Sequence, residues 1–590
     1  MPHIYKRDHS LAARLMTGVL GIFFLLTPLS SCSVNINVPG PAVPAAIQFK
    51  ALDLGIPAEA LNSPVVGPLA NNTVLPVRIT FKLNPTWLQR IEQQPIQPGK
   101  RSNLENFANK LGIDDATYQK IKDFFSTQGL AFKLSKLRTH LAVNGKASTF
   151  AKLLQTNFVV HKYNGRTFYA PATNRPPKVP DFLANSIDAV TGLDNYSSAP
   201  QHDLTMHFAT PGKQQHRAQP DCYPIDQTLL PRDVAGAYGH SELWQRGLNG
   251  ENMTVNLVEI DGAYQDDIQN YFDCINFKGH LSTVNVDGAP ADALGESTLD
   301  IQMVAGLARS VNIVVYQTDG SANDDIWAHV NDMLQQIADD NVNNASSGSV
   351  VSISLGASEG EMSANDVRAI DSSIQQLTRA EHMTVFAASG DCGAFTSRVF
   401  GRLSVSFPAS DPWITSVGGT ILQVDSNRNR VNEVVWSDGS NQFSCKNRWG
   451  SGGGNSTMFR KPDWQNAPGV QNRYSRGARQ LPDISAAAYA LAVYFKGQWG
   501  SVGGTSAAAP IWAAGLALVN EGLMRQVHKF GYGPQIFYLV DDRNNGAQAY
   551  YDVTSGDNLY FSATPGWDFA TGIGTPNLAN FYQALSGDIA

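Results

Sequence analysis

The sequence predicts a two-part chain of α/β class: a small α+β domain, then a larger one built on a parallel sheet with helices on both faces. Three observations predict it. From residue 254 onward, short β-branched runs alternate with helical stretches, the pattern of a sheet buried on both sides. A polar segment over 196–222 separates that region from an upstream stretch with its own strand and helix periodicities. The composition, 590 residues with 43% hydrophobic and 16% charged, 51 Gly and 31 Pro, suits a loop-rich chain of more than one domain and excludes disorder, collagen and coiled coil.

At the N-terminus, Lys6, Arg7 and Arg14 precede an apolar stretch from Leu15 to Leu29. A basic flank, a short apolar core and small residues beyond it predict a secretory signal over 1–32, too short and interrupted for a spanning helix. It ends Leu29-Ser30-Ser31-Cys32, similar to a bacterial lipobox, which predicts an exported protein, extracellular or in the cell envelope, with lipid on Cys32 as its one membrane attachment. The plainer reading is a simple cleavage site. Residues 33–73, rich in Pro, Ala, Val and Asn, read as a tether. Net charge is −7 and no long basic run occurs, so a nucleic-acid partner is not expected. Cys222, Cys274, Cys392 and Cys445 permit two disulfides in any of three pairings, and the absence of CxxC argues against zinc.

In the first domain, 74–195, Val77 to Leu83 alternates with period two and predicts a strand with one buried face. Helices are expected at Leu104–Leu111, Ala116–Phe125 and Ser148–Leu154, and strands at Ala131–Leu134, His140–Val143, Phe158–Tyr163 and Thr167–Ala170. Residues 196–222 predict an exposed linker holding the processing site. In the second domain, 223–590, strands at Thr254–Val258, Val311–Tyr316, Val350–Leu355 and Thr384–Ala388 alternate with helices at Ser297–Arg309, Asp324–Ala338 and Ala364–Arg379.

The strongest chemical signal is Gly503-Gly504-Thr505-Ser506 opening an apolar helix. Glycines let a ligand approach the backbone, and a serine at the positive end of a helix suits a developing oxyanion. An isolated serine there would more often be a cap. The segment resembles the nucleophile of subtilisin-like serine peptidases, yet no histidine from 222 to 590 lies in a Gly-flanked, helix-opening context. Glu296 and Asp300 are four apart, hence on one helix face. Such a pair is commonly a solvated acidic face, but the helix around it carries Leu, Ile, Met, Val, Ala and Gly with only Arg309 charged near its end, which predicts buried acids with their pKa values pushed apart.

Together these motifs resemble the sedolisin family of serine-carboxyl peptidases over about residues 75–585, with pseudomonalisin and kumamolisin as its types. The resemblance implies a subtilisin-like fold with Ser506 as nucleophile, Glu296 as general base, Asp300 as its orienting partner and Asp391, in Ser389-Gly390-Asp391, as oxyanion donor. It also implies that Ser352-Ile-Ser-Leu-Gly356 pairs with extended substrate, that Gly452-Gly453-Gly454 forms a Gly-rich wall, and that Glu259 extends the carboxylate network. Gly165-Arg-Thr-Phe-Tyr169 and Ala189 to Asn195 resemble the family's propeptide, an intramolecular inhibitor and chaperone.

Asp552 and Asp568, in adjacent Gly-rich loops, offer hard oxygen ligands suited to Ca²⁺, although aspartates in such loops are most often turn formers. The resemblance implies one structural calcium held by Asp552, the carbonyls of Val553, Thr564 and Gly566, and Asp568, with Thr564 standing where the family usually has Gly. The expected protein is a monomeric, self-processing, acid-acting serine endopeptidase acting on peptides and proteins. The rival readings are a catalytically inactive binding lipoprotein on a peptidase scaffold, a tripeptidyl-peptidase, or glycoside hydrolysis by the paired acids, which would leave Ser506 and Asp391 without a role.

Overall fold

The period-two strand of the first domain is the place to begin. Val74–Phe81 lies inside a four-stranded antiparallel sheet with Phe132–Leu134, His140–Lys146 and Ile187–Thr191. Val77, Ile79 and Phe81 point into the domain's own core with Ile121, Phe125 and Phe150. The other face is not solvated as expected: Arg78 and Thr80 are each 1% exposed, because helices of the second domain cover it. The structure is a computed structural model describing residues 48–94, 103–199, 205–208, 228–320, 325–344, 347–397, 401–438, 449–526, 532–542 and 548–587. The expected signal, Cys32 and residues 33–47 lie outside these.

The tether reading of 33–73 is corrected from Gln48 on. Phe49–Ala51 pairs with Lys178–Pro180, Val65–Pro68 pairs with Phe158–Tyr163, and Leu54, Ile56 and Ala60 join the core. Short strands of irregular apolar spacing leave no periodicity to read.

The second domain builds its main sheet from β1 (Thr254–Glu259), β2 (His280–Asn285), β3 (Asn312–Gln317), β4 (Val350–Ile353), β5 (Thr384–Ala388), β6 (Thr415–Val424), β7 (Arg430–Val435) and β8 (Ile484–Ala487). The order is β2-β3-β1-β4-β5-β6, with β7 pairing antiparallel and β8 parallel to β6. Alternation along the strands sorts side chains to two faces. Val255, Leu257, Val350 and Phe386 meet helices α1 (Glu296–Leu307) and α4 (Thr505–Arg525). Val258, Val351, Ile353, Val385 and Ala387 meet α2 (Ile326–Asn341) and α3 (Ala364–Gln375). The edge strand β2 has no apolar run and escaped sequence reading. Helix α4 is long and apolar enough to cross a membrane by length and composition, but it is buried as the central core helix.

Side-chain caps fix the helix starts. Asp325 accepts from Trp327 N–H at 3.1 Å before α2, and Ser363 Oγ accepts from Asp366 N–H at 3.0 Å before α3. The first domain rests on these two helices. Arg78 pairs with Asp332 on α2 and with Asp287 at 3.1 Å, while His140 meets Asp332 at 2.7 Å and His329 meets Asp287 at 2.9 Å. Asp287, His329 and Asp332 stand close enough together to share an ion. The Arg78 guanidinium of the first domain is paired to both acids of that group.

The linker reading is revised at two points. Tyr196, Ser197 and Ser198 are buried, with Ser198 O accepting from Trp327 Nε1–H at 2.8 Å. Thr205–Phe208 pairs antiparallel with Gly500–Gly503, the strand leading into the nucleophile. The rest of 200–227 lies outside the described residues.

Candidate active site

Three segments distant in sequence converge on Ser506. It is the second residue of α4, a 21-residue helix, so its hydroxyl sits at the positive end of the helix dipole. Gly504, with φ +152°, permits the approach: a Cβ there would lie 3.0 Å from Asp391 Oδ2. Ser506 is 7% exposed and its hydroxyl donates to the carbonyl of Ser354 at 3.3 Å. Ser354 directly follows β4, at the carboxyl end of a central parallel strand, where open α/β sheets carry their sites. Its own hydroxyl donates to Asp300 Oδ2 at 2.6 Å. One serine thus joins the nucleophile's segment to the acidic helix.

Helix α1 presents Glu296 and Asp300 on one face, and all of its residues from Glu296 to Leu307 are buried. Its start is clamped by Asp261, which accepts from the backbone N–H groups of Leu294, Gly295 and Ser297 at 2.8, 2.9 and 3.0 Å. Glu259, at the end of β1, is hydrogen-bonded to Asp300. Burial pushes Glu259 and Asp300 well above the usual carboxylate range, and the charges of Glu296 and Asp261 push both in the same direction. The buried-acid expectation for this helix holds.

Asp391 lies in the turn after β5. Its Oδ1 accepts from Thr505 N–H and from Thr505 Oγ1, both at 2.7 Å. The cleft beside Ser506 is lined by Ser354, Gly356, Asp391, Thr396 and Ser406 among others. A serine hydroxyl and a carboxyl group lining one cleft, with a buried acid pair joined to them through Ser354, are a set of groups suited to acyl transfer.

Comparison with known proteins agrees. Residues 62–196 match the pro-kumamolisin activation domain, and residues 287–527 match the subtilase family. Kumamolisin from Bacillus sp. (strain MN-32) is 31% identical over 433 residues, covering 69% of this chain and 72% of kumamolisin. The chain belongs to the sedolisin family of serine-carboxyl peptidases. A solved structure of Pseudomonas sedolisin, a serine-carboxyl proteinase complexed with pseudo-iodotyrostatin, superposes with TM-score 0.53 at 27% identity, covering 62% of this chain and all of that one. Tripeptidyl-peptidase 1 from Bos taurus is 26% identical over 74% of this chain and 77% of its own length. Like its relatives, this sedolisin-type serine peptidase carries an activation propeptide. Asn195 and Tyr169, from the two propeptide echoes, are bonded to each other, Tyr169 N–H donating to Asn195 Oδ1 at 2.7 Å.

The other residues read from sequence also find places in the sedolisin fold. Gly452 and Gly453 press on backbone: a Cβ would come within 2.1 Å of Ser389 O and 1.9 Å of Phe569 O. They therefore seat the Asp391 turn against the C-terminal loops. In those loops Asp552 Oδ2 accepts from Gly566 N–H at 2.9 Å, and Asp568 Oδ2 accepts from Thr564 N–H at 2.8 Å. Thr571 Oγ1 lies 3.4 Å from Val553 O. All five expected calcium ligands therefore belong to one pair of interlocked loops. Burial pushes Asp568 up to about 6, against the hydrogen bonds from Thr564, Ala570 and Thr571 that favour its charged form. The donor set fits a hard cation. Cys274 and Cys392 are disulfide-bonded, and Cys222 and Cys445 lie outside the described residues.

Two contributors escaped sequence reading. Ser354 was visible only as part of a strand, since nothing local says its hydroxyl meets Asp300. Asp261 had a faint signal, an Asp-Gly pair directly after a strand.

Proposed function

We propose that this protein is an exported, acid-acting endopeptidase made as a self-processing precursor, with Ser506, Glu296, Asp300 and Asp391 carrying the chemistry. The observation that bears most weight is Ser354, whose carbonyl accepts from Ser506 Oγ while its hydroxyl donates to Asp300. It ties nucleophile and acid pair into one constellation. In the reaction, Ser506 Oγ attacks the scissile carbonyl carbon while Glu296 takes the hydroxyl proton. Glu296 then returns that proton to the leaving amine, and water hydrolyses the acyl-serine by the same route reversed. Asp300, with Glu259 behind it, holds Glu296 in place and shares its proton. Asp391 in its neutral form donates to the oxyanion, a role that low pH favours and that parallels other neutral carboxyl donors.

The first domain acts as an intramolecular inhibitor and chaperone through its packing on α2 and α3. One Ca²⁺, held by Asp552, Val553, Thr564, Gly566 and Asp568, would fasten the last loops rather than take part in chemistry. Export rests on the signal-like N-terminus, with Cys32 as a lipid attachment, and the mature enzyme acts as a monomer.

The test is Ser506→Ala, assayed on casein and on an internally quenched, N-acetylated peptide at about pH 3–5, with a polysaccharide control. Wild-type protein should cut both protein substrates and mature; the variant should do neither. Cleavage of only free-amino peptides, in steps of three residues, would favour the tripeptidyl reading. A processed, active Ser506→Ala protein would sink the nucleophile assignment. Intact mass before and after acidification reports the cut site and any lipid on Cys32.

A further inference from the structure

The residue between Gly504 and Ser506 has a geometry that the nucleophile motif alone does not explain. Thr505 is fully buried, yet both of its polar groups converge on a single atom: its backbone N–H and its hydroxyl each lie 2.7 Å from Asp391 Oδ1. The hydroxyl has a defined direction. Thr505 Oγ1 accepts from Gly390 N–H at 3.1 Å, so its own proton is left for Asp391. Gly390 is held in turn, its carbonyl accepting from Gly452 N–H at 2.7 Å. The relay runs one way, from Gly452 through Gly390 and Thr505 to Asp391 Oδ1.

We propose that Thr505 is a positioning residue that fixes which oxygen of Asp391 carries the proton offered to the oxyanion. This rests on the reading of Asp391 as the oxyanion donor. A neutral carboxyl group has one O–H, and an oxygen already accepting two hydrogen bonds is the costly place to put it, since a proton there takes a lone pair that one of the two donors uses and weakens the oxygen as acceptor for the other. The proton is therefore directed to Oδ2. That oxygen is on the side of the nucleophile: the Cβ position of Gly504 lies 3.0 Å from Asp391 Oδ2 and 3.8 Å from Ser506 Cβ, so both border one small space. Thr505 makes the donor face the reacting carbonyl and keeps the carboxyl from flipping.

Single variants and a double-mutant cycle test this, with each precursor matured by immobilised wild-type enzyme that is then removed, and kcat and KM measured on a chromogenic peptide. Thr505→Val keeps the shape and loses the hydroxyl; kcat should fall about tenfold or more, short of the ~10²–10³ for removing an oxyanion donor outright, with KM little changed. Thr505→Ser restores the hydroxyl and most of kcat. In an Asp391→Ala background, Thr505→Val should cost nothing further, because no carboxyl remains to orient. Equal losses in both backgrounds, or Thr505→Ser as impaired as Thr505→Val, would overturn the inference and leave the oxyanion assignment standing. A near-wild-type rate for Asp391→Ala alone would overturn that assignment first, and this one with it. Should Thr505→Val fail to fold by circular dichroism, Thr505→Ala takes its place in the same cycle, judged by the same outcomes.

Discussion

Replacing Arg78 with methionine would leave two carboxylates without their guanidinium where the propeptide meets α2. Arg78 is 1% exposed and bridges Asp332 and Asp287, while its Nη1 donates to Asn144 Oδ1 at 2.8 Å. Removing one member of a buried ion pair costs about 3–5 kcal/mol, mostly from the charge left behind. Two features lower that figure here. Asp332 keeps His140 and Asp287 keeps His329, and the Asp287 side chain is 24% exposed, so water screens part of its charge. About 2–3 kcal/mol remains. With a urea slope of about 1–3 kcal/mol/M for a domain of this size, the midpoint for release of the propeptide should fall by roughly 0.7–3 M. The assay is urea titration of the full chain carrying Ser506→Ala, which blocks self-cleavage, with and without Arg78→Met. Adding Asp332→Asn should recover part of the loss, since an amide carries no charge. An unchanged midpoint in Arg78→Met would refute the reasoning and reduce the network to a surface contact.

Chelation of the mature enzyme, or Asp568→Ala, should lower its melting temperature and leave kcat of the surviving folded fraction nearly unchanged; absence of metal by elemental analysis would count against the calcium proposal. The precursor should also respond to pH with a definite sign. Burial pushes Asp194 of the propeptide and Asp325 and Asp366 of the catalytic domain above the ordinary carboxylate range. Their contribution to packing is complete below about pH 4, the unfolded carboxylate value, and is lost as pH rises through the raised values. Asp287 is held well below the ordinary range by His329, Asp332 and Arg78 against its own burial, so its contribution is full above about pH 4 and is lost progressively as pH falls below it. The urea midpoint of the Ser506→Ala precursor should therefore decline as pH rises above about 4, and Asp194→Asn should flatten that decline. A midpoint that climbs with pH would show that the cationic network, and not the buried acids, governs release.

The residues of the proposed catalytic constellation stood out because they sit in local contexts that physical chemistry restricts. A glycine pair before Ser506, two acids opening a helix whose later turns are mostly apolar, and a Gly-Asp turn after β5 each make little sense as surface. Strands and helices of the second domain were legible for a related reason: their apolar runs are bounded by loops, and Thr384–Ala388 was read to the residue. Expectations drifted by two or three residues where caps decide the boundary, as at α2, whose start is fixed by Asp325.

What stayed hidden depends on partners far away in the chain. Arg78 reads as the solvated half of an alternating strand, since its partner Asp332 is 254 residues distant and no period in either segment announces the pairing. The same holds for Ser354 and Asp300, 54 residues apart, and for Thr505 and Asp391, 114 apart. Sequence periodicity identifies which faces are apolar and so which must be buried; it carries no information on polar groups buried by another domain. Those groups are nonetheless constrained, because each buried donor or acceptor left without a partner costs about 1–3 kcal/mol. The oxygen of Asp391 that accepts from Thr505, and the oxygen of Asp300 that accepts from Ser354, follow from that constraint once the fold has brought the segments together. In this protein the proposed nucleophile and acids can therefore be picked out in the sequence, whereas the residues that would aim them emerge only when the carboxyl ends of β4 and β5 meet the start of α4.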